Sequence, residues 1–149
     1  MAEATELAYD HSYERRHALG RILRPRADTI QDHTLGQAYH ATSFLGQGTV
    51  ASKRWAAITS GVMQTCLDAL EAADAERTGL LSQARSCIYE LRAVGFPRVA
   101  LKALVGLGFR LALHDVKSHA NEEGFDPEEL EDELRVFQRA FEARILYPT

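Results

Sequence analysis

Apolar residues in this chain recur every three or four positions, and no run of them alternates. That pattern constrains the fold more than any other feature. It calls for amphipathic α-helices and offers no strand from which to build a sheet. The last segment shows it best. Asp126 suits an N-cap, Pro127 the first helical position, and Glu128 and Glu129 the positive end of a helix dipole. Leu130, Leu134, Phe137, Phe141 and Ile145 then fall on one face.

Five further segments follow the same rule. A helix is expected from Pro97 to about Asn121, and Gly95 is a natural stop for the one before it, which carries Leu80, Ala84, Ile88 and Leu91 on one face. Another spans about Val50 to Ala73, with Trp55, Ile58, Val62, Cys66 and Leu70. Arg26–Leu45 and Thr5–Leu23 are helical with weaker stripes, and Gly46 and Gly48 separate them from the Val50 helix. None of the four prolines falls inside a strongly periodic segment, so each reads as punctuation. The expectation is an all-α chain, a single-domain antiparallel helical bundle of five or six helices over residues 1–149.

The helix near 97–121 is apolar around most of its circumference from Val99 to Leu113, which places it at the bundle centre. Gly106 and Gly108 each cost it about 1 kcal/mol of helix propensity relative to Ala, so a close neighbour or a kink is expected there. The predicted core joins Leu104, Val105 and Leu111 to Ile88, Leu91, Phe137 and Phe141. The weak stripes of residues 1–45 suggest a peripheral helical layer, or one ordered by a partner.

With 149 residues, 46% hydrophobic and 26% charged, the chain is long enough to bury a core without disulfide or metal staples. Cys66 and Cys87 are expected as free thiols on apolar faces. Met1 to Asp10 lacks the apolar stretch of a signal peptide, and Val99 to Leu113 is too short and too charged to span a bilayer. A cytoplasmic location, with no membrane contact, is the expectation.

The net charge of −4 is unevenly spread: residues 1–120 carry +2 and residues 121–149 carry −6. Arg15, Arg16, Arg21, Arg24 and Arg26 put five arginines into twelve residues, and Glu122 to Glu133 puts eight acids into twelve. Arginine suits bidentate carboxylate and phosphate contacts. The two patches predict an acidic end docking on a basic end, in a homo-oligomer or with a partner protein. The expected partner-binding residues are the five arginines with Glu128, Glu131 and Asp132. Tyr9, Tyr13, Leu19, Ile22 and Leu23 are the candidate apolar contacts beside them.

The segment His114-Asp115-Val116-Lys117-Ser118-His119-Ala120-Asn121-Glu122-Glu123-Gly124 resembles the phosphorylation motif of histidine-phosphotransfer domains. The matching positions are His114, Val116, Lys117, Ser118, Ala120 and Gly124. The resemblance implies that His114 accepts a phosphoryl group and that Lys117 stabilises it. On a helix, Arg110, His114, Lys117 and Asn121 share one stripe. The competing reading is a solvent-exposed histidine favoured by the dipole near a helix C-terminus.

Other constellations are weaker. Asp115 and His119 stand four apart, as do His33 and Gln37, with His40 on the same face; neither set has the further ligands of a metal pattern. Leu45 to Lys53 is glycine-rich but lacks the Gly-Lys-Ser/Thr of a Walker loop, and reads as a helix–helix turn. No catalytic triad, haem or dinucleotide signature is present, so no cofactor or metal is expected, and a binding module is favoured over an enzyme. The leading expectation is a small non-catalytic helical regulator, adaptor or assembly subunit acting by protein–protein association. The alternatives are a histidine-phosphotransfer protein using His114, and a helical accessory subunit of a nucleoprotein complex using the arginine cluster.

Overall fold

The computed structural model describes the backbone of residues 2–42, 49–96 and 98–145, and within these the side chains of 12–37, 54–73, 75–96, 98 and 101–144. Among the described residues there are six α-helices and no strand: α1 (Ala2–Leu23), α2 (Ala27–Thr42), α3 (Thr49–Glu71), α4 (Asp74–Ala93), α5 (Arg98–His119) and α6 (Pro127–Ile145). The all-α expectation holds. Gly46, Gly48, Pro97 and the side chains of Tyr9, His40 and Ile145 lie outside the described residues.

Local chemistry sets the helix ends. Asp126 caps α6: its Oδ1 accepts the Glu128 N–H at 3.0 Å, and its carbonyl accepts that of Glu129 at 3.1 Å. The ends of α4 and α5 close in one way. Phe96 N–H donates to Leu91 O at 3.0 Å and Gly95 N–H to Arg92 O at 3.1 Å, with Gly95 at φ 92°. After α5, a 3-10 turn over Ala120–Glu123 leads to the same closure. There Phe125 N–H reaches Ala120 O and Gly124 N–H reaches Asn121 O, with Gly124 at φ 79°. Both are Schellman motifs, which need a left-handed residue after the helix and satisfy its orphan carbonyls.

α3 and α4 form an extensive antiparallel hairpin, α5 lies against α2 and α6, and α1 packs on α3, α5 and α6. Leu130, Leu134, Phe137 and Phe141 are buried on α6, and Ala84, Ile88 and Leu91 on α4. Leu104 and Val105 join them, whereas Leu111 is half-buried. Trp55 is fully enclosed and meets Phe96 edge-on, ring centroids 4.9 Å apart.

Two expectations about position are corrected. The helical segment at the N-terminus is no peripheral layer: Ala18, Leu19, Ile22 and Leu23 of α1 and Ala27, Ile30 and Leu35 of α2 all belong to the core. The inward face of α1 also carries Arg16 and Gly20, and a charge and a missing side chain dilute the apolar stripe that sequence alone can show. Conversely, α5 is not enclosed. Lys102, Ala103, Arg110 and His114 are exposed, so one face of it meets solvent. No helix among the described residues is long and apolar enough to cross a membrane.

Candidate functional site

The arginine cluster is spent inside the chain. Arg15 lies 3.7 Å from Glu133, and Ser12 Oγ donates to the same carboxylate. Arg21 Nε donates to Glu123 at 2.7 Å. Arg24 reaches α3, where its Nη2 lies 2.8 Å from Asp68 Oδ1 and 2.9 Å from Glu71 Oε2. These carboxylates hold the Arg24 guanidinium protonated well above its usual range, the Glu71 bond first and the Asp68 bond next. Arg16 is 4% exposed and donates from Nη1 to Ala72 O at 3.0 Å. Arg26 donates to Ile22 O at 2.7 Å.

Within one molecule, Arg15 of α1 therefore meets Glu133 of α6 and Arg21 meets Glu123 in the turn after α5, contacts the sequence suggested between molecules, while Arg24 turns to the acids of α3. The physical reason is proximity. Packing α1 on α6 puts opposite charges a few ångströms apart, with no association entropy to overcome. Leu19, Ile22 and Leu23, expected as partner contacts, are core residues, while Tyr13 is 42% exposed.

The His114 stripe is exposed as its spacing requires, with Arg110, Lys117 and Asn121 beside it. Lys117 is drawn away from the imidazole: its Nζ lies 3.3 Å from Glu131 Oε2 on α6. Ser118 Oγ donates to the His114 carbonyl, and Gly124 is the left-handed stop of the α5 end. Three of the motif positions thus have structural employment. His119 pairs with Glu122, Nδ1 to Oε2 at 3.1 Å, and not with Asp115. Among the described residues no three His, Cys, Asp or Glu side chains gather as metal ligands.

The outward face of α6 remains. Glu131 is taken by Lys117 and by Arg135, whose Nη2 lies 2.8 Å away. Glu128 and Asp132 are exposed, with no ion pair among the described residues, and so is Arg139 further along. Between them stands Val136, 57% exposed on a helix that buries Leu130, Leu134, Phe137 and Phe141. Val136 is a residue the sequence reading passed over. Its signal was present, an apolar residue off the 130–134–137–141 face. Comparison with protein-family models, curated proteins and solved structures finds no match for this chain.

Proposed function

We propose that this chain is a small non-catalytic helical module that acts by association, as an assembly or regulatory subunit, and that its contact is a second copy of itself through α6. The observation that carries this is the exposure of Val136 at the midpoint of α6, between acids on one side and a base on the other that form no ion pair among the described residues. Glu128 and Asp132 precede it; Arg139 follows it. Asp132, Val136, Arg139 and Ala143 recur at intervals of four, three and four, the spacing of a helix–helix seam.

Charge along this seam runs from acidic to basic. Two copies laid antiparallel about a two-fold near Val136 set Asp132 of each opposite Arg139 of the other. The two Val136 side chains meet near the axis, as a self-complementary interface requires. The seam carries little apolar area, so the contact is salt-sensitive and concentration-dependent.

Sedimentation velocity over a protein and salt series tests it. Dimer is expected at low salt and less of it as salt rises. Asp132→Arg or Arg139→Asp alone should reduce association, and the double swap should restore it. These positions are seven residues apart on one helix and make no contact within a copy, so the restoration reports the contact between copies. A monomer at every concentration and salt, unmoved by either reversal, would remove the reading.

A further inference from the structure

All six helices contribute to the lining of an apolar cavity of about 110 Å³ at the centre of the bundle. Leu23, Ile30, Leu67, Leu70, Leu104 and Ala112 are among the side chains that line it. Phe109, Phe137 and Phe141 make an aromatic wall, with ring centroids 5.5 Å apart for Phe109 and Phe141 and 6.4 Å for the other pairs. Met63 and Cys66 bring sulfur to the lining. Burial pushes the Cys66 thiol far above its usual range, with nearby Cys87 adding to the shift, so the wall stays uncharged at neutral pH.

One lining group does not fit a dry packing void. Thr59 on α3 is 6% exposed, and its hydroxyl has no hydrogen-bond partner among the described residues. Helical threonines usually turn the hydroxyl back to a carbonyl one turn earlier. Two others here do so. Thr34 Oγ1 lies 3.0 Å from Ile30 O and 2.8 Å from Gln31 O, and Thr65 Oγ1 lies 2.7 Å from Gly61 O. Thr34 shares the cavity with Thr59, but its hydroxyl is already engaged. A buried hydroxyl left unanswered destabilises the fold. A trapped water needs two to four polar partners, and this lining offers one free hydroxyl.

We propose that the cavity is a binding site for a single-ring aromatic molecule carrying one hydroxyl, which hydrogen-bonds Thr59 Oγ1. The scale is right: an apolar cavity of about 150 Å³ lined by Leu, Ile and Phe admits benzene. The Phe wall favours edge-to-face contact with an incoming ring, and the sulfur atoms favour an aromatic over an alkyl guest. The threonine hydroxyl can donate or accept, so it selects for a polar substituent without fixing a charge.

The test uses phenol and toluene as probes on the full chain, followed by amide chemical shifts and the thermal midpoint. Both rings should bind saturably, with the largest shifts around Thr59, Gly108 and Phe141, and the midpoint should climb with ligand concentration. Thr59→Val keeps the side-chain shape and removes the hydroxyl. It should fold, and the ratio of phenol to toluene affinity should fall about tenfold, the worth of one hydrogen bond. Ala112→Leu, which fills the cavity, should abolish both. If that variant does not fold, the Thr59→Val ratio decides alone. Absence of saturable binding by either ring, or an affinity ratio unchanged in Thr59→Val, overturns the proposal.

Discussion

Arg24 grips Glu71 with two parallel bonds, Nε to Oε1 at 3.0 Å and Nη2 to Oε2 at 2.9 Å, and so ties the turn that follows α1 to the end of α3. This fork matches the planar guanidinium to the carboxylate and fixes orientation as well as distance. Gly20 makes room for it. A Cβ at Gly20 would overlap the Glu71 carboxylate, the far end of a flexible side chain, so it is this placement of the carboxylate that depends on the missing side chain. Gly20→Ala should therefore turn the Glu71 carboxylate off Arg24 and destabilise the chain by less than about 1 kcal/mol, the lost ion pair being offset in part by helix propensity. Denaturant unfolding checks this. In a Glu71→Ala background the same change should become neutral or stabilising, because the overlap is gone.

Gly106 predicts the opposite sign. No atom lies within 4 Å of a Cβ built there, so neither close packing nor a left-handed backbone demands glycine. Gly106→Ala should stabilise by about 0.5–1 kcal/mol through helix propensity and a less flexible unfolded state. At Gly108 the added carbon would meet the Thr34 methyl at 3.7 Å, an ordinary contact, so Gly108→Ala should be tolerated as well. A thermal midpoint that falls in Gly106→Ala would mean that α5 uses that position in some other way.

How legible the chain is depends on whether a residue signals through its own type or through its neighbours. The α6 cap, its apolar face and the Gly95 stop are written in residue type, and the helices lie close to where the periodicity puts them. α1 was misplaced because Arg16 and Gly20 sit on its buried face, and burial of a guanidinium becomes readable only once Ala72 O is seen beside it. Pairings such as Arg15 with Glu133 and Arg21 with Glu123 join residues more than one hundred positions apart, and helix packing alone decides them. Of the candidate site, the acids of α6 were legible and the intramolecular use of the arginines was not. The free hydroxyl of Thr59 left no trace in the sequence, since Thr34 and Thr65 look the same there and differ only in where the hydroxyl turns.

Core position should separate Phe137 from its neighbour Val136. Phe137 is buried and packs against Phe109 and Phe141, while Val136 faces solvent. Phe137→Ala should cost about 3–5 kcal/mol, and Leu104→Ala about 2–5 kcal/mol, from lost transfer energy plus a cavity. Val136→Ala should stay within about 0.5 kcal/mol in the dilute monomer. Equal costs for Phe137 and Val136 in denaturant unfolding would contradict the orientation of α6.

Gly124 should resist substitution for a backbone reason. Its φ of 79° is left-handed, and a Cβ there meets no other atom within 4 Å, so any cost of Gly124→Ala is conformational. That cost should be about 1–2 kcal/mol. Asn, which tolerates this region better, should recover part of it. The same change bears on the phosphotransfer resemblance. If Gly124 serves only to close the α5 end, Gly124→Asn should leave the environment of the His114 ring unchanged in its NMR signals.

Glu131 supplies the pH dependence. Its carboxylate accepts from Arg135 and faces Lys117, and these bonds hold its pKa below the ordinary carboxylate value, the Arg135 bond contributing most. A depressed folded-state pKa means that the unfolded chain binds the proton more readily. The stabilising contribution is therefore fully present above the unfolded-state pKa and is lost as pH falls through the folded-state value. Carbon-detected NMR titration of the side-chain carboxyl should place Glu131 below the ordinary glutamate value. Arg135→Ala should raise its midpoint, and Lys117→Ala should raise it by less. The link from α5 to α6 through Lys117 should open over the same acid window, seen as a change at the Lys117 Nζ signals. A Glu131 that titrates at the ordinary glutamate value, in both the parent chain and Arg135→Ala, would show that neither cation engages it in solution.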